Sequence, residues 1–297
     1  MKKAKSGIWW KLVITFCVII AIFAGGYFFL DKSIVPQYFG QYGIYDVPDL
    51  VGVVTSLYKN PKESKIVTNK YTKTDLANAI DVLQEAGYKI ADDGSITKDD
   101  MQNFKGDKEL ILTDRQFAAV CNKLLEDGIL VDALPNLNYL NTINISILEV
   151  NIEPDKDSAA QIGYNEAEVS FIAKIDTTDI REQMSSQMGT PIFLLNMIIP
   201  ETLYFTVSYH IDLSGETPAQ SKGTIAINGR TEKQSKILIN LLIDFIFPEE
   251  DEMNIDKFTR ELGNIAIEGI EALGEFTFAA NIDGKSQNGI IVNPNIA

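Results

Sequence analysis

The stretch LYFTVSYHIDL, residues 203–213, decides the fold class, because apolar side chains occupy every second position along it. Alternation with a period of two places all of these side chains on one face of an extended strand. Residues 167–175 repeat the pattern, with Ala167, Val169, Phe171, Ala173 and Ile175 at alternate positions. Strands with one apolar and one polar face predict an antiparallel sheet whose apolar face packs on a core.

The neighbouring segments extend this sheet on both sides. Ile143, Ile145 and Ile147 alternate in one phase, whereas Leu148, Val150 and Ile152 alternate in the opposite phase. A change of phase within one strand predicts a β-bulge near residue 147. Residues 224–228 are expected to form a hairpin with the strand 203–213. A helix over 179–188, capped by Thr177 or Thr178, separates the two central strands, and residues 276–282 and 290–292 predict two more strands.

Helices are predicted on both sides of the strand region. Thr113 with Gln116 three positions later is a capping box, and the apolar face that follows ends before Gly128. Residues 74–86 show the same helical spacing. A second capping box, Thr231 with Gln234, begins a helix that is apolar almost all round as far as Phe247. The predicted fold is therefore α+β, with a small helical region followed by a curved antiparallel sheet packed with one long apolar helix.

The amino-terminal segment predicts a transmembrane helix. Residues 12–30 are uncharged, and as a helix they would cover about 28 Å, close to the hydrocarbon thickness of a bilayer. Trp9, Trp10 and Lys11 at one end and Tyr27 and Phe28 at the other have the residue types of interfacial anchors. The lysines precede this segment, which places the amino terminus in the cytoplasm and the rest of the chain outside the cell membrane in a single pass. The alternative is a cleaved signal peptide ending near residues 24–26.

These patterns divide the chain into four regions. Residues 1–30 are the cytoplasmic tail and anchor, 31–45 a linker, 46–130 the helical region and 135–297 the β-rich α+β domain. The exported part holds Cys121 as its one cysteine, so an internal disulfide is excluded there. This cysteine usage fits a bacterial cell envelope better than a eukaryotic secreted domain.

Composition removes several classes of function. The 297 residues carry 26 basic and 41 acidic side chains, and a surface this acidic is unsuited to nucleic acid. One histidine and two cysteines leave little for zinc or thiol chemistry, so no metal and no cofactor is predicted. Ser208, His210 and Asp212 lie at alternate positions of one strand, about 6.6 Å apart per step, too far for a catalytic triad. No catalytic residue is predicted, and a non-enzymatic protein is expected.

The order of these elements carries a resemblance to a known family. The stretches Leu112–Phe117 and Pro200–Leu213 are the most similar, within a layout of anchor, linker, capped helix, strands and apolar helix. In this layout the chain resembles the single-span extracytoplasmic lipid-binding-like proteins of Gram-positive bacteria, which are similar to the tubular lipid-binding superfamily. The resemblance spans residues 110–297. It implies a curved sheet and a long helix that enclose lipid tails, and it carries over no individual functional residue.

Two functional hypotheses follow. In the first, the protein is anchored in the membrane and binds or shuttles an acyl chain, so its partner is membrane lipid. The expected lining residues are Phe171, Phe205, Ile237, Leu241, Leu242 and Phe245. In the second, the protein is a cell-envelope scaffold without a ligand cavity, whose helical region binds an envelope protein or a wall polymer. This scaffold would have a filled β-rich core and an exposed apolar or aromatic patch on residues 46–128.

Overall fold

A computed structural model of the chain describes residues 25–40, 45–58, 62–91, 94–95, 108–128, 144–158, 163–188, 200–215, 219–220, 223–230, 275–284 and 287–293. The chain divides into two compact units, Met1–Ser56 and Leu57–Ala297. The helices are α1 (Val35–Phe39), α2 (Val47–Tyr58), α3 (Lys73–Glu85), α4 (Asp114–Glu126) and α5 (Thr178–Met188). The strands are β1 (Leu110–Thr113), β2 (Asn144–Pro154), β3 (Glu166–Asp176), β4 (Thr202–Asp212), β5 (Ala219–Gln220), β6 (Thr224–Ile227), β7 (Glu275–Ala279) and β8 (Gly289–Asn293).

In the first unit, a π-helical turn over Leu30–Ile34 leads into α1. The carboxylate of Asp31 accepts a hydrogen bond from the backbone N–H of Val47 at 2.8 Å and forms an ion pair with Lys32 at 2.9 Å. This contact ties the start of α2 to the turn. The side chains of Tyr27, Phe28, Phe29 and Leu30, just before Asp31, are exposed, Phe28 by 65%.

The two principal helices of the second unit begin as their sequences dictate. Thr113 and Gln116 form the predicted capping box at the start of α4, and Thr72 with Asp75 forms another at the start of α3. Helix α5 begins at Thr178, one residue before the predicted start, so that Thr177 directly precedes it. The hydroxyl of Thr177 donates to the carbonyl of Pro200, and the Asp176 carboxylate accepts from the backbone N–H of Thr178.

The larger sheet has five antiparallel strands in the order β2-β3-β4-β5, with β6 also paired to β4. The register of β2 on β3 shifts between Ile147 and Glu149, so that Leu148 is an extra residue opposite Ile172. The bulge expected near residue 147 is therefore confirmed. The hairpin between β4 and β6 is confirmed as well, with Phe205 opposite Ile227.

Each face of this sheet has a different cover. Helix α4 packs against β2, and the ring of Phe117 meets that of Phe171 edge to face at 6.5 Å. On the other face, the segment Lys62–Lys70, here called the strap, places Val67 against Leu148, Ile172 and Tyr204. The sheet therefore has a main core on the α4 face and a smaller apolar cluster under the strap.

The fold-class prediction of one curved sheet packed with a long apolar helix is wrong. The described residues form two antiparallel sheets, since β1, β8 and β7 make up a separate three-stranded sheet in that order. Strand β1 was not predicted, since four residues directly before a capping box are too few to show a period. The α+β class and the antiparallel pairing hold.

The described residues contain neither of the two predicted long helices. Helices α3 and α4 have 13 residues each, which corresponds to about 20 Å, well short of a bilayer. Within the part of the chain that the structure describes, no helix has the length and apolar character to cross a membrane. Residues 231–247, and residues 1–24 of the predicted anchor, lie outside the described residues.

Candidate functional site

One face of the larger sheet carries apolar side chains in successive cross-strand rows, and we call it the apolar face. Its rows follow from the strand register. They are Pro154, Ala167 and Ile211; Ile152, Val169 and Tyr209; Val150, Phe171, Val207 and Ile225; Ile147, Ala173, Phe205 and Ile227; and Ile145, Ile175 and Leu203. Side chains directly opposite one another on paired strands share a face, so these rows form one continuous apolar surface.

Burial changes along this face. In the first two rows, which begin with Pro154 and Ile152, the side chains on β3 and β4 are buried. Ile152 on β2 is buried as well. The last two rows, which begin with Ile147 and Ile145, are here called the open end. There, Ile145, Ile147, Ala173, Ile175 and Phe205 are partly exposed, whereas Leu203 and Ile227 are buried. The apolar face is therefore closed at one end and half-covered at the other, on its β2 and β3 side.

The chemistry of the open end is uniform. Its side chains are aliphatic or aromatic hydrocarbon, without a hydroxyl, amide or charge among the seven positions of the two rows. Five residues of β3, from Phe171 to Ile175, span about 13 Å of extended chain beside it. Such a surface can gain free energy by burying hydrocarbon but offers a ligand no side-chain hydrogen bond.

The bulge marks the boundary between the covered and half-covered rows of β2. Val150 and Ile152 on one side of it are buried, and Ile145 and Ile147 on the other side are partly exposed. The backbone N–H of Ile147 donates to the side-chain oxygen of Asn122 on α4 at 2.8 Å. The bulge is thereby tied to the helix that covers the apolar face.

The bulge is tied on its other side by a buried carboxylate. Glu149 is 0% exposed and accepts hydrogen bonds from the backbone N–H groups of Thr68 and Asn69 at 2.6 and 2.7 Å. The Thr68 hydroxyl and the Asn151 amide add bonds of 3.2 and 2.8 Å. Four donors compensate for the loss of hydration of this charge, and they fix the strap to β2.

A second carboxylate lies beside this one at the start of α4. The amide of Asn69 donates to Asp114 at 3.0 Å, and the Arg115 backbone N–H donates to it at 2.7 Å. Burial raises the pKa of the Asp114 carboxyl, the Arg115 N–H opposes that shift, and the Glu149 charge adds to it. Asn69 therefore joins the strap to both β2 and α4.

The structure brings two of the predicted lining residues together. Phe171 and Phe205 lie on the apolar face of adjacent strands, in neighbouring rows. Ile237, Leu241, Leu242 and Phe245 lie outside the described residues, as do the predicted anchor residues Trp9, Trp10 and Lys11. Tyr27 and Phe28 are described and exposed.

Comparisons with known proteins identify no relative. No protein-family model, curated protein or solved structure matches the chain. The resemblance to lipid-binding proteins therefore stays an expectation, and the apolar face itself is the feature from which a function can be inferred.

The sequence did not indicate the polar residues that hold the bulge. The phase change at Ile147 located the bulge, but its partners Thr68 and Asn122 are far away in the chain. One signal was present. Glu149 lies within the apolar run from Ile147 to Ile152, where an acidic side chain needs a specific partner if it is buried.

The single histidine lies beside a carboxylate. His210 is 3.0 Å from the Glu166 carboxylate on a partly exposed strand face. Among the residues that the structure describes, no group of three or more His, Cys, Asp or Glu side chains is arranged to hold a metal ion.

The Cys121 thiol should react slowly in the folded protein. Cys121 is partly buried on α4, and burial raises the pKa of its thiol to about 12. At pH 8 the thiolate population is then about 1,000-fold below that of an ordinary cysteine, which predicts a comparable decrease in alkylation rate. The measurement is iodoacetamide labelling followed by mass spectrometry in a Cys17→Ser variant. Equal rates in buffer and in urea would contradict this prediction.

Proposed function

We propose that the protein is a non-enzymatic, membrane-associated protein that binds the hydrocarbon chain of a lipid at the open end of the apolar face. The observation that carries this proposal is the partial exposure of Ile145, Ile147, Ala173, Ile175 and Phe205 on one continuous apolar surface. A ligand without hydrogen-bonding groups along its length suits this surface, because neither partner then loses a hydrogen bond to water. An acyl chain has this property.

The exposed segment Tyr27–Leu30 supports the membrane association. Four consecutive exposed apolar side chains, three of them aromatic, are suited to the interfacial region of a bilayer. Location on the outer side of the cell membrane remains part of this proposal and rests on the lysines at the amino terminus.

The scaffold hypothesis has less support. It requires an exposed apolar patch on residues 46–128, and in the described part of that region the exposed large apolar side chains are Val51 and Ile111. They belong to different compact units, and single exposed apolar residues are ordinary on protein surfaces. An envelope protein partner remains the alternative that the experiment below tests.

The first test is native mass spectrometry of the full chain purified from bacteria, together with solvent extraction of the same sample. We expect copurified lipid at near-unit stoichiometry, and the extract would identify its class. A ligand-free mass that stays unchanged after incubation with lipid vesicles would contradict acyl-chain binding and favour the scaffold hypothesis.

A substitution at the centre of the open end should block the ligand. Ala173 lies between Ile147 and Phe205 in one row, and Ala173→Phe would place an aromatic ring where the acyl chain of the ligand is proposed to bind. We expect at least about a tenfold loss of affinity for the fluorescent fatty acid parinaric acid, since a few lost methylene contacts are worth that much.

The matched control adds the same ring to the opposite face. Ser208 on β4 lies in a row of the other face with Ser170 and Thr224, so Ser208→Phe should leave parinaric acid binding within about twofold of wild type. Equal affinity of the Ala173→Phe variant and wild type would show that the ligand binds elsewhere. Both variants are first checked for an unchanged circular dichroism spectrum.

A further inference from the structure

We infer that the β-bulge at Ile147–Glu149 keeps the open end of the apolar face open, and that it is a positioning element of the binding site. This inference rests on the proposed function for its ligand. It adds a structural cause for the half-covered rows, and it assigns Leu148, the extra residue of the bulge, a role in that opening.

The first observation is the place of the bulge. On β2 the change from buried to partly exposed side chains falls between Val150 and Ile147, the two residues that flank the bulge on the apolar face. On β3 the corresponding change comes one row earlier, between Val169, which is buried, and Phe171, which is partly exposed and lies opposite Val150. The cover of the apolar face therefore ends at the bulge on β2 and one row earlier on β3.

The second observation is that the bulge is held from both sides. Asn122 accepts the Ile147 N–H from the side of α4, and Glu149 binds the backbone of the strap. The Asn122 amide in turn donates to Glu126 at 2.7 Å, which fixes its orientation on the helix. A bulge bends its strand and increases the local twist. Bonds on both sides hold this bend of β2 in place, between the buried Val150 and the partly exposed Ile147.

The register of β2 on β3 allows the bulge to be removed by deleting one residue, while the pairing on either side of it is retained. Ile147 pairs with Ala173 and Glu149 with Ile172, so deletion of Leu148 would join two segments that are already in consecutive register. Ile147 and Val150 would stay on the apolar face, and Glu149 would stay on the other. Leu148→Ala removes most of the side chain that packs with Val67 and Tyr204, but it keeps the extra residue and therefore the bulge. The pair of variants separates the bulge from the packing of Leu148.

The ligand-independent test is the labelling of a cysteine at the open end. Ala173→Cys is introduced into the full chain with Cys17→Ser and Cys121→Ser, and its reaction with a maleimide is followed by mass spectrometry. We expect the deletion of Leu148 to slow labelling about tenfold or more relative to Leu148→Ala, because a straight β2 brings the open rows under the cover of α4. Equal labelling rates in the two variants would overturn the inference.

The second measurement is the affinity of the same two variants for parinaric acid, without the added cysteine. We expect Leu148→Ala to bind within about threefold of wild type and the deletion to bind about tenfold more weakly or worse. Equal affinities of the two variants would overturn the role of the bulge in binding while leaving the proposed function intact. Slower labelling of the deletion variant, with no binding by wild type, would support the opening and contradict the proposed function.

Discussion

Replacing Glu149 with leucine should lower the free energy of unfolding by about 3–5 kcal/mol, which is a large part of the stability of an ordinary domain. The Glu149 carboxylate is fully buried and is bonded to two backbone N–H groups of the strap. Leucine has a similar size but accepts no hydrogen bond. The N–H groups of Thr68 and Asn69 would then be left without this acceptor, and each such group costs about 1–3 kcal/mol.

The measurement is urea unfolding at pH 7, with the slope of the transition compared between variants. Glu153→Leu is the matched control, since Glu153 is an exposed glutamate on the same strand and its replacement should change stability by less than about 0.5 kcal/mol. Glu149→Gln retains one acceptor oxygen, so its loss of unfolding free energy should lie between those of Glu149→Leu and Glu153→Leu. A loss below about 1 kcal/mol in Glu149→Leu would show that the strap does not depend on this carboxylate.

The central strands could be predicted from the sequence because the residue patterns that define them lie within short stretches of the chain. Alternation over residues 203–213 and 167–175 gave β4 and β3 to within one residue at each end, and the phase change at Ile147 gave the bulge. The capping box at Thr113 fixed the start of α4 in the same way. In each case the pattern lies within a short window and reflects a face that is buried along its length.

The second sheet and the contacts that hold the bulge could not be predicted, because their information is distant. Strand β1 is recognisable only through its partner Val292 and its neighbours on β8, which lie far along the chain. The acceptor for the backbone of Thr68 and Asn69 is Glu149, about 80 residues away. Periodicity reports which face of a strand is apolar, but it does not report which element covers that face or how far the cover extends. The partial exposure of the open end could therefore be recognised only from the structure.

Replacing Gly289 with alanine should lower the free energy of unfolding by about 3 kcal/mol, through displacement of the backbone of β8, the middle strand of the three-stranded sheet. A Cβ atom at this position would lie 1.9 Å from the carbonyl oxygen of Leu112 and 2.8 Å from the Cα of Thr113. Both are backbone atoms of β1, so no side-chain rotation can relieve the overlap. Strand β8 must therefore move away from β1.

This displacement should affect both sheets, because the residue before Gly289 connects them. The carbonyl of Asn288 accepts the backbone N–H of Asp114 at the start of α4, and its amide donates to the carbonyl of Ile152 on β2 at 2.8 Å. A shift of β8 weakens these bonds together with the pairing to β1. We expect amide hydrogen exchange to increase in β1, at the start of α4 and in the outer edge of β2, and not only in β8.

The control is Gly284→Ala in the connection between β7 and β8. Gly284 has a φ of +68° and no atom within 4 Å of an added Cβ, so alanine there costs about 1–2 kcal/mol of backbone strain without a clash. Its amide exchange should change only near the connection. If Gly289→Ala, like this control, increases amide exchange only locally, then β1 and β8 can separate without destabilising the rest of the protein. The three-stranded sheet would then unfold independently of the larger sheet. If exchange increases on β2 as well, the two sheets unfold as one cooperative structure held together through Asn288.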